Sequence, residues 1–240
     1  MKRAFPLMIM FVTLLVTGAC SSDSGGGGLS VASLEGTWFG AGRDLFNSVY
    51  GTITVTLDGE GGLTGSETVT PSSFSGTYAL ESGQVFGFDL TDGTEGGFIA
   101  NSAGTHAVFA NEFGSFGVIE KDTTSFTSSY SQSEMVGSWS GIGVVTDFID
   151  FTVVTSSATV SSDRSFSVSD STGDTITGTI PYSYFATDIG VYDFVSSSST
   201  EGSGYGEAFL SPDKSFAGTW GCTGGCSFPD DLGFTAWDRQ

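Results

Sequence analysis

Polar and apolar positions alternate with a period of two along most of this chain. Ile53, Val55 and Leu57 share one face of an extended segment while Thr52, Thr54 and Thr56 share the other, and Ile176, Gly178 and Ile180 alternate in the same way with Thr175, Thr177 and Thr179. Successive strand side chains point to opposite faces, so these runs predict half-buried β-strands. Turn-forming clusters punctuate them: DGEGG from Asp58, TDGTEGG from Thr91, NSAG from Asn101 and SPDK from Ser211. Gly, Asn and Asp tolerate the backbone angles of tight turns, as the hairpins of an antiparallel meander require. After the N-terminal apolar run no segment carries a 3.6-residue stripe, and no long helix is expected.

The pattern is written twice. Gly36, Trp38, Gly40 and Gly42 recur as Gly137, Trp139, Gly141 and Gly143, a GxWxGxG motif repeated at an offset of 101 residues. ITVT from Ile53 parallels FTVV from Phe151, FDL from Phe88 parallels YDF from Tyr192, and FGVIEK from Phe116 parallels FTAWDR from Phe234. Self-similarity at this spacing predicts duplicated units, 34–122 and 135–240, joined by a Ser/Thr/Gln-rich linker, 123–134. Each unit has room for about eight short strands. The expected fold is therefore all-β, two tandem small antiparallel up-and-down β-barrels, with compact β-sandwiches as the alternative. In a barrel, inward Ile53, Val55, Leu57, Phe74, Tyr78 and Leu80 would fill the interior, and each unit should fold by itself.

A tryptophan in a Gly-x-Trp motif of the first strand, with a basic residue after an apolar position in the last, resembles the calycin families, including lipocalins and avidin. The resemblance implies that a cationic side chain packs over the tryptophan and closes the barrel, Lys121 over Trp38 and Arg239 over Trp139. GTITVTLDGEGGLTGS is similar to the early hairpin of avidin-type barrels, and FGVIEK to the closing strand of barrels in bacterial transferrin-binding surface lipoproteins. Trp38, Trp139, Trp220 and Trp237 do not reproduce an avidin-type aromatic box, so the resemblance implies a shape and not a ligand.

Met1, Lys2 and Arg3 give a positive start, Ala4 to Val16 is almost wholly apolar, and Thr17, Gly18 and Ala19 lead into Cys20. Residues 1–19 thus read as a secretory signal, its apolar run too short for the roughly 20 residues of a membrane span. LVTGAC resembles the lipobox of bacterial lipoproteins, which implies that Cys20 is acylated and that two or more fatty chains moor the mature protein to a membrane. Residues 20–33, rich in Gly and Ser, would form a flexible tether. Ser21 after the cysteine resembles an outer-membrane sorting pattern, placing the protein in the cell envelope. With Cys20 acylated, Cys222 and Cys226 form an even pair in an oxidising compartment, and a small disulfide loop is expected.

Composition removes some function classes. With 27 Asp+Glu against 7 Lys+Arg and a formal charge of −20, the chain repels phosphate, so nucleic acid is not an expected partner. The one histidine, His106, lies in strand-like sequence, and no Gly-x-Ser-x-Gly elbow accompanies it; no catalytic residue is assigned. The acidic loops lack calcium-loop spacing, Cys222 and Cys226 have no second Cys or His cluster to complete a zinc shell, and no phosphate-binding glycine motif precedes a helix; neither metal nor cofactor is expected. Most carboxylates lie in turns. Asp89 and Asp193 sit instead inside the repeated aromatic–Asp–apolar motif, where a barrel-lining carboxylate would need a partner or a ligand. The sequence reading is a membrane-anchored, non-enzymatic binding or envelope-interaction module whose partner, small molecule, glycan or protein, is not specified. A structural envelope lipoprotein with filled barrels is the alternative, and a glycan hydrolase using paired carboxylates comes third.

Overall fold

The computed structural model describes residues 28–44, 49–68, 72–112, 114–126, 129–147, 150–181, 185–186, 188–198, 202–223 and 233–240. Cys20 and Cys226 lie outside them. Among the described residues no helix is long and apolar enough to cross a membrane.

Eight antiparallel strands build the first barrel: β1 (Gly36–Asp44), β2 (Val49–Leu57), β3 (Gly62–Glu67), β4 (Ser72–Ser82), β5 (Val85–Leu90), β6 (Glu95–Ala100), β7 (His106–Asn111) and β8 (Ser115–Lys121). Each pairs with its neighbour in sequence, and β1 closes on β8 with Trp38 opposite Lys121. The second unit contributes β9 (Gly137–Asp147), β10 (Asp150–Val160), β11 (Ser165–Asp170), β12 (Thr175–Thr179), the two-residue β13 (Phe185–Ala186), β14 (Val191–Ser198), β15 (Gly202–Leu210), β16 (Phe216–Thr223) and β17 (Gly233–Arg239). Here β17 pairs with β9, with Arg239 opposite Trp139, and β12 pairs with β14. A second eight-stranded barrel results, with β13 appended to β14.

The GxWxGxG motif is explained by position. Its first glycines, Gly36 and Gly137, adopt φ of +145° and +146°, a conformation that disfavours any Cβ. The tryptophans then point inward and are buried. Gly40 lies where β8 crosses so closely that a Cβ would sit 1.8 Å from the Val118 carbonyl oxygen, and Gly141 would meet Ala236 O at 2.6 Å. Before each motif runs a single 3₁₀ turn, Val31–Leu34 or Gln132–Met135. It stoppers the barrel end, and its last carbonyl accepts a hydrogen bond from the tryptophan: Trp38 Nε1 donates to Leu34 O and Trp139 Nε1 to Met135 O, both at 3.0 Å. The last residues of the stretch expected to be tether, 20–33, join the fold through Leu29 and Val31, which pack beside Leu34 in the first barrel.

Among the described residues, side chains occupy both interiors. Trp38, Val55, Leu57, Leu63, Tyr78, Phe86, Phe98 and Ile119 form one core, with Phe86 and Phe98 stacked at 5.0 Å; Trp139, Val160, Ile180, Tyr192, Leu210 and Trp237 form the other. Leu80 does not join the first core. It stands 41% exposed beside a register shift in β4 between Leu80 and Ser82, and an irregularity of that kind breaks the inward alternation of the strand.

A third core belongs to neither interior. Ala41, Val85, Ile99, Val108, Phe116 and Val118, on the outer wall of the first barrel, pack against Val144, Val191, Phe209, Phe216, Trp220 and Ala236 of the second. The barrels are docked side by side, β6–β8 against β15–β17. Phe126 and Tyr130, from the Ser/Thr/Gln-rich connection, are anchored in the fold: Phe126 lies 5.1 Å from Phe39, and Tyr130 donates to Ser211 O at 3.1 Å.

Candidate functional site at the junction of the barrels

The charged groups the fold takes out of water are concentrated where the barrels meet, in two clusters. The first surrounds Glu207 on β15, which is only 4% exposed. Its carboxylate pairs with Arg43 of the first barrel, accepts from Tyr50 Oη at 3.0 Å and from Trp220 Nε1 at 3.0 Å. Arg43 also lies over the Tyr50 ring, 4.9 Å from its centroid. Three donors on one buried carboxylate offset its desolvation, and two of them come from the other barrel. Asp193 is opposite Glu207 across the β14–β15 ladder. Burial pushes its carboxyl above the ordinary value, and Arg43 only partly offsets that.

The second cluster joins His106, Glu120 and Asp213. His106 and Glu120 are cross-strand partners on β7 and β8 and project from the outer wall of the first barrel. Asp213 comes from the turn between β15 and β16, where its carboxylate accepts from Ser211 Oγ at 2.6 Å, Ser215 N at 2.9 Å and Ser215 Oγ at 2.6 Å. His106 Nε2 lies 3.2 Å from Asp213 Oδ1 and 3.9 Å from Glu120 Oε2, and Asp213 N donates to Glu120 Oε2 at 2.9 Å. Burial pushes Asp213 up, but the approach of His106 and the bonds from Ser211 and Ser215 outweigh it and hold this carboxyl well below the usual range. Glu120 moves the other way, raised chiefly by burial. The imidazole stacks on Phe216 of the second barrel at 5.2 Å. Among the described residues these three side chains bring metal-capable donor atoms within 4.8 Å of one another.

The residues singled out in the sequence take other places. Arg239 lies over Trp139 at 4.6 Å, and its guanidinium also donates to Glu134 O. Lys121 stands opposite Trp38 and donates through Nζ to Ser33 O at 3.2 Å, across the 3₁₀ stopper. Asp89 and Asp193 do not line an interior. Their neighbours Phe88 and Phe194 take the inward positions of the alternation, which leaves both carboxylates on outer walls. Asp89 is exposed and borders a shallow groove of about 520 Å³ with Thr56, Asp58, Thr64 and Thr77. The disulfide expected between Cys222 and Cys226 is corrected: no cysteines approach bonding distance. Cys222 is held in extended backbone opposite Tyr205, in a ladder that continues to Thr223.

The His106 cluster was not legible in the sequence, because its third member arrives from the other repeat, 93 residues from Glu120 along the chain. The one available signal was the pairing of the only histidine with the FGVIEK strand, which places His106 opposite a glutamate once the β7–β8 register is known.

No protein-family model matches the chain, and no curated protein matches it. Among solved structures it is similar to a DUF3598-family protein of unknown function from Nostoc punctiforme, at 11% identity and a TM-score of 0.38, covering 88% of this chain and 99% of that one. A double mutant of the vaccine antigen Transferrin Binding Protein B from Haemophilus parasuis matches at 9% identity and a TM-score of 0.29, over 85% of this chain and 74% of that one.

Proposed function

We propose that the protein is a lipid-anchored component of the bacterial cell envelope, held by an acylated Cys20, that acts without catalysis by presenting the outer surface of a rigid two-barrel body. The observation that carries the second half of this reading is the filling of both interiors. Aromatic and aliphatic side chains occupy each lumen, and the hollow bordered by Gly42, Ile53 and Phe109 holds only about 70 Å³. Small-molecule sites generally occupy about 300–1,000 Å³, a size that this hollow lacks and that the surface groove of about 520 Å³ beside Asp89 reaches. A partner would therefore meet the walls and loops, among them the hydroxyl-rich groove beside Asp89. The buried carboxylate Glu207 is engaged by Arg43, Tyr50 and Trp220, an arrangement suited to holding the barrels together. The anchor rests on the LVTGAC sequence at Cys20.

The test compares the full-length protein with a Cys20→Ser variant carried behind an ordinary cleavable secretory signal. The unaltered protein should take up labelled palmitate and sediment with membranes, whereas the variant should be unlabelled and soluble. Membrane retention of the variant, or absence of label from the unaltered protein, would remove the anchor. Native mass spectrometry of the soluble variant should show no molecule held in a lumen; a stoichiometric small molecule still bound after Asp89→Lys alters the groove would overturn action through the outer surface alone.

A further inference from the structure

We infer that His106, Glu120 and Asp213 form a divalent transition-metal site, best suited to Zn²⁺, that staples the two barrels together. The site is independent of the lipid anchor. Zinc takes imidazole nitrogen and carboxylate oxygen at about 2.0–2.2 Å, so tetrahedral neighbours stand roughly 3.3–3.6 Å apart. The distances from His106 Nε2, 3.2 Å to Asp213 Oδ1 and 3.9 Å to Glu120 Oε2, bracket that edge before any metal has drawn the donors in.

A second observation is the state of the histidine. His106 is 8% exposed, and its Nε2 makes an aligned hydrogen bond with neither carboxylate despite its closeness to both. A cation shared by the three donors would satisfy this buried nitrogen, which lies close to both carboxylate oxygens. The opposite side of the ring is arranged for ligation. Nδ1 lies 3.0 Å from Thr105 Oγ1 and 3.5 Å from Asn101 Nδ2, and Thr105 Oγ1 in turn lies 3.4 Å from Asn101 Oδ1. In the tautomer that donates Nδ1–H to Thr105, the Nε2 lone pair is free for a metal, and an outer partner of this kind orients ligating histidines generally.

The ligands are also pre-positioned by separate elements. The β7–β8 ladder sets His106 opposite Glu120, and the hydrogen bonds from Ser211 and Ser215 hold Asp213. Two carboxylates facing one imidazole leave a net negative site in a chain of formal charge −20, which attracts a cation. Asp213, with 39% of its side chain exposed, leaves a route of entry and a position for a water as fourth ligand. Calcium fits less well, because it prefers six to eight oxygen donors.

The test uses the full chain, stripped with a chelator and dialysed against Zn²⁺ alone. Elemental analysis should find one Zn²⁺ per chain. At a free concentration near 100 Kd the melting temperature should rise by about 5–10 °C, the stabilisation expected of a ligand bound only to the folded state. His106→Ala and Glu120→Gln should abolish both effects, and the second variant preserves side-chain volume in case the first disturbs the fold. Thr105→Val should weaken Zn²⁺ by about 10–100-fold, as loss of an outer hydrogen-bond partner does, a change that a merely structural histidine would not produce. Zinc retained equally by all variants, an equal melting shift from Ca²⁺, or no zinc retained after dialysis would each overturn the site.

Discussion

Asp193 shows how one residue can work against the fold it belongs to. It shares the outer wall of the second barrel with Glu207, its cross-strand partner, and Arg43 is already paired with Glu207. Burial raises the Asp193 carboxyl, with Arg43 only partly compensating, so the folded protein binds this proton more readily than the unfolded chain does. The sign follows from linkage: stability is unaffected well below the ordinary value of 3.8, falls as pH climbs through the raised folded value, and stays lower above it. Asp193→Asn removes the charge and keeps the shape. It should raise the melting temperature at pH 7 by about 1–3 °C, the small size reflecting the screening of a half-exposed group, and the gain should vanish near pH 3. Thermal melts at the two pH values check this, and an equal gain at both would assign the effect to packing.

At the scale of elements, the seam between β1 and β8 depends on backbone proximity. A Cβ at Gly40 would sit 1.8 Å from Val118 O, and one at Gly117 2.2 Å from Ala41 O, so the closing strands approach as only glycine allows. Gly40→Ala should force the seam apart and cost about 1–3 kcal/mol, the usual range for overpacking, measured by denaturant unfolding against the unaltered protein. Leu80→Ala, on the exposed side of the β4 irregularity, makes the comparison, since nothing buried is lost there. Much of this was readable in advance. Period-two alternation gave the strands, and the recurrence of Gly36, Trp38 and Gly40 as Gly137, Trp139 and Gly141 gave the duplication, because each residue answers a local demand that repeats with the fold. The outward turn of Leu80 depends on a register shift, which alternation cannot encode. The destinations of Asp193 and His106 depend on a surface contributed by the other repeat, and no local pattern carries that information.

For the whole molecule, the decisive feature is that the outer wall of each barrel is a core residue set for the other. Val108, Phe116 and Val118 would be exposed on an isolated first barrel, an apolar patch of the kind soluble monomers seldom leave uncovered. Docking therefore ought to couple the two unfolding reactions, and Gly218 offers a way to measure the coupling without damaging either barrel. It lies on the outer wall of β16, where a Cβ would come within 2.6 Å of Val118 Cγ2 and 2.7 Å of Val108 Cγ2, all atoms of the opposite barrel. The three atoms nearest to that Cβ all belong to the opposite barrel, so Gly218→Val acts as a wedge at the junction. Differential scanning calorimetry of the unaltered protein should show one cooperative transition. In Gly218→Val the transition should broaden or divide, with the first component several degrees lower, while the total unfolding enthalpy falls only by the share of the lost contacts. One sharp transition at an unchanged temperature would mean that the barrels are neighbours without being energetic partners.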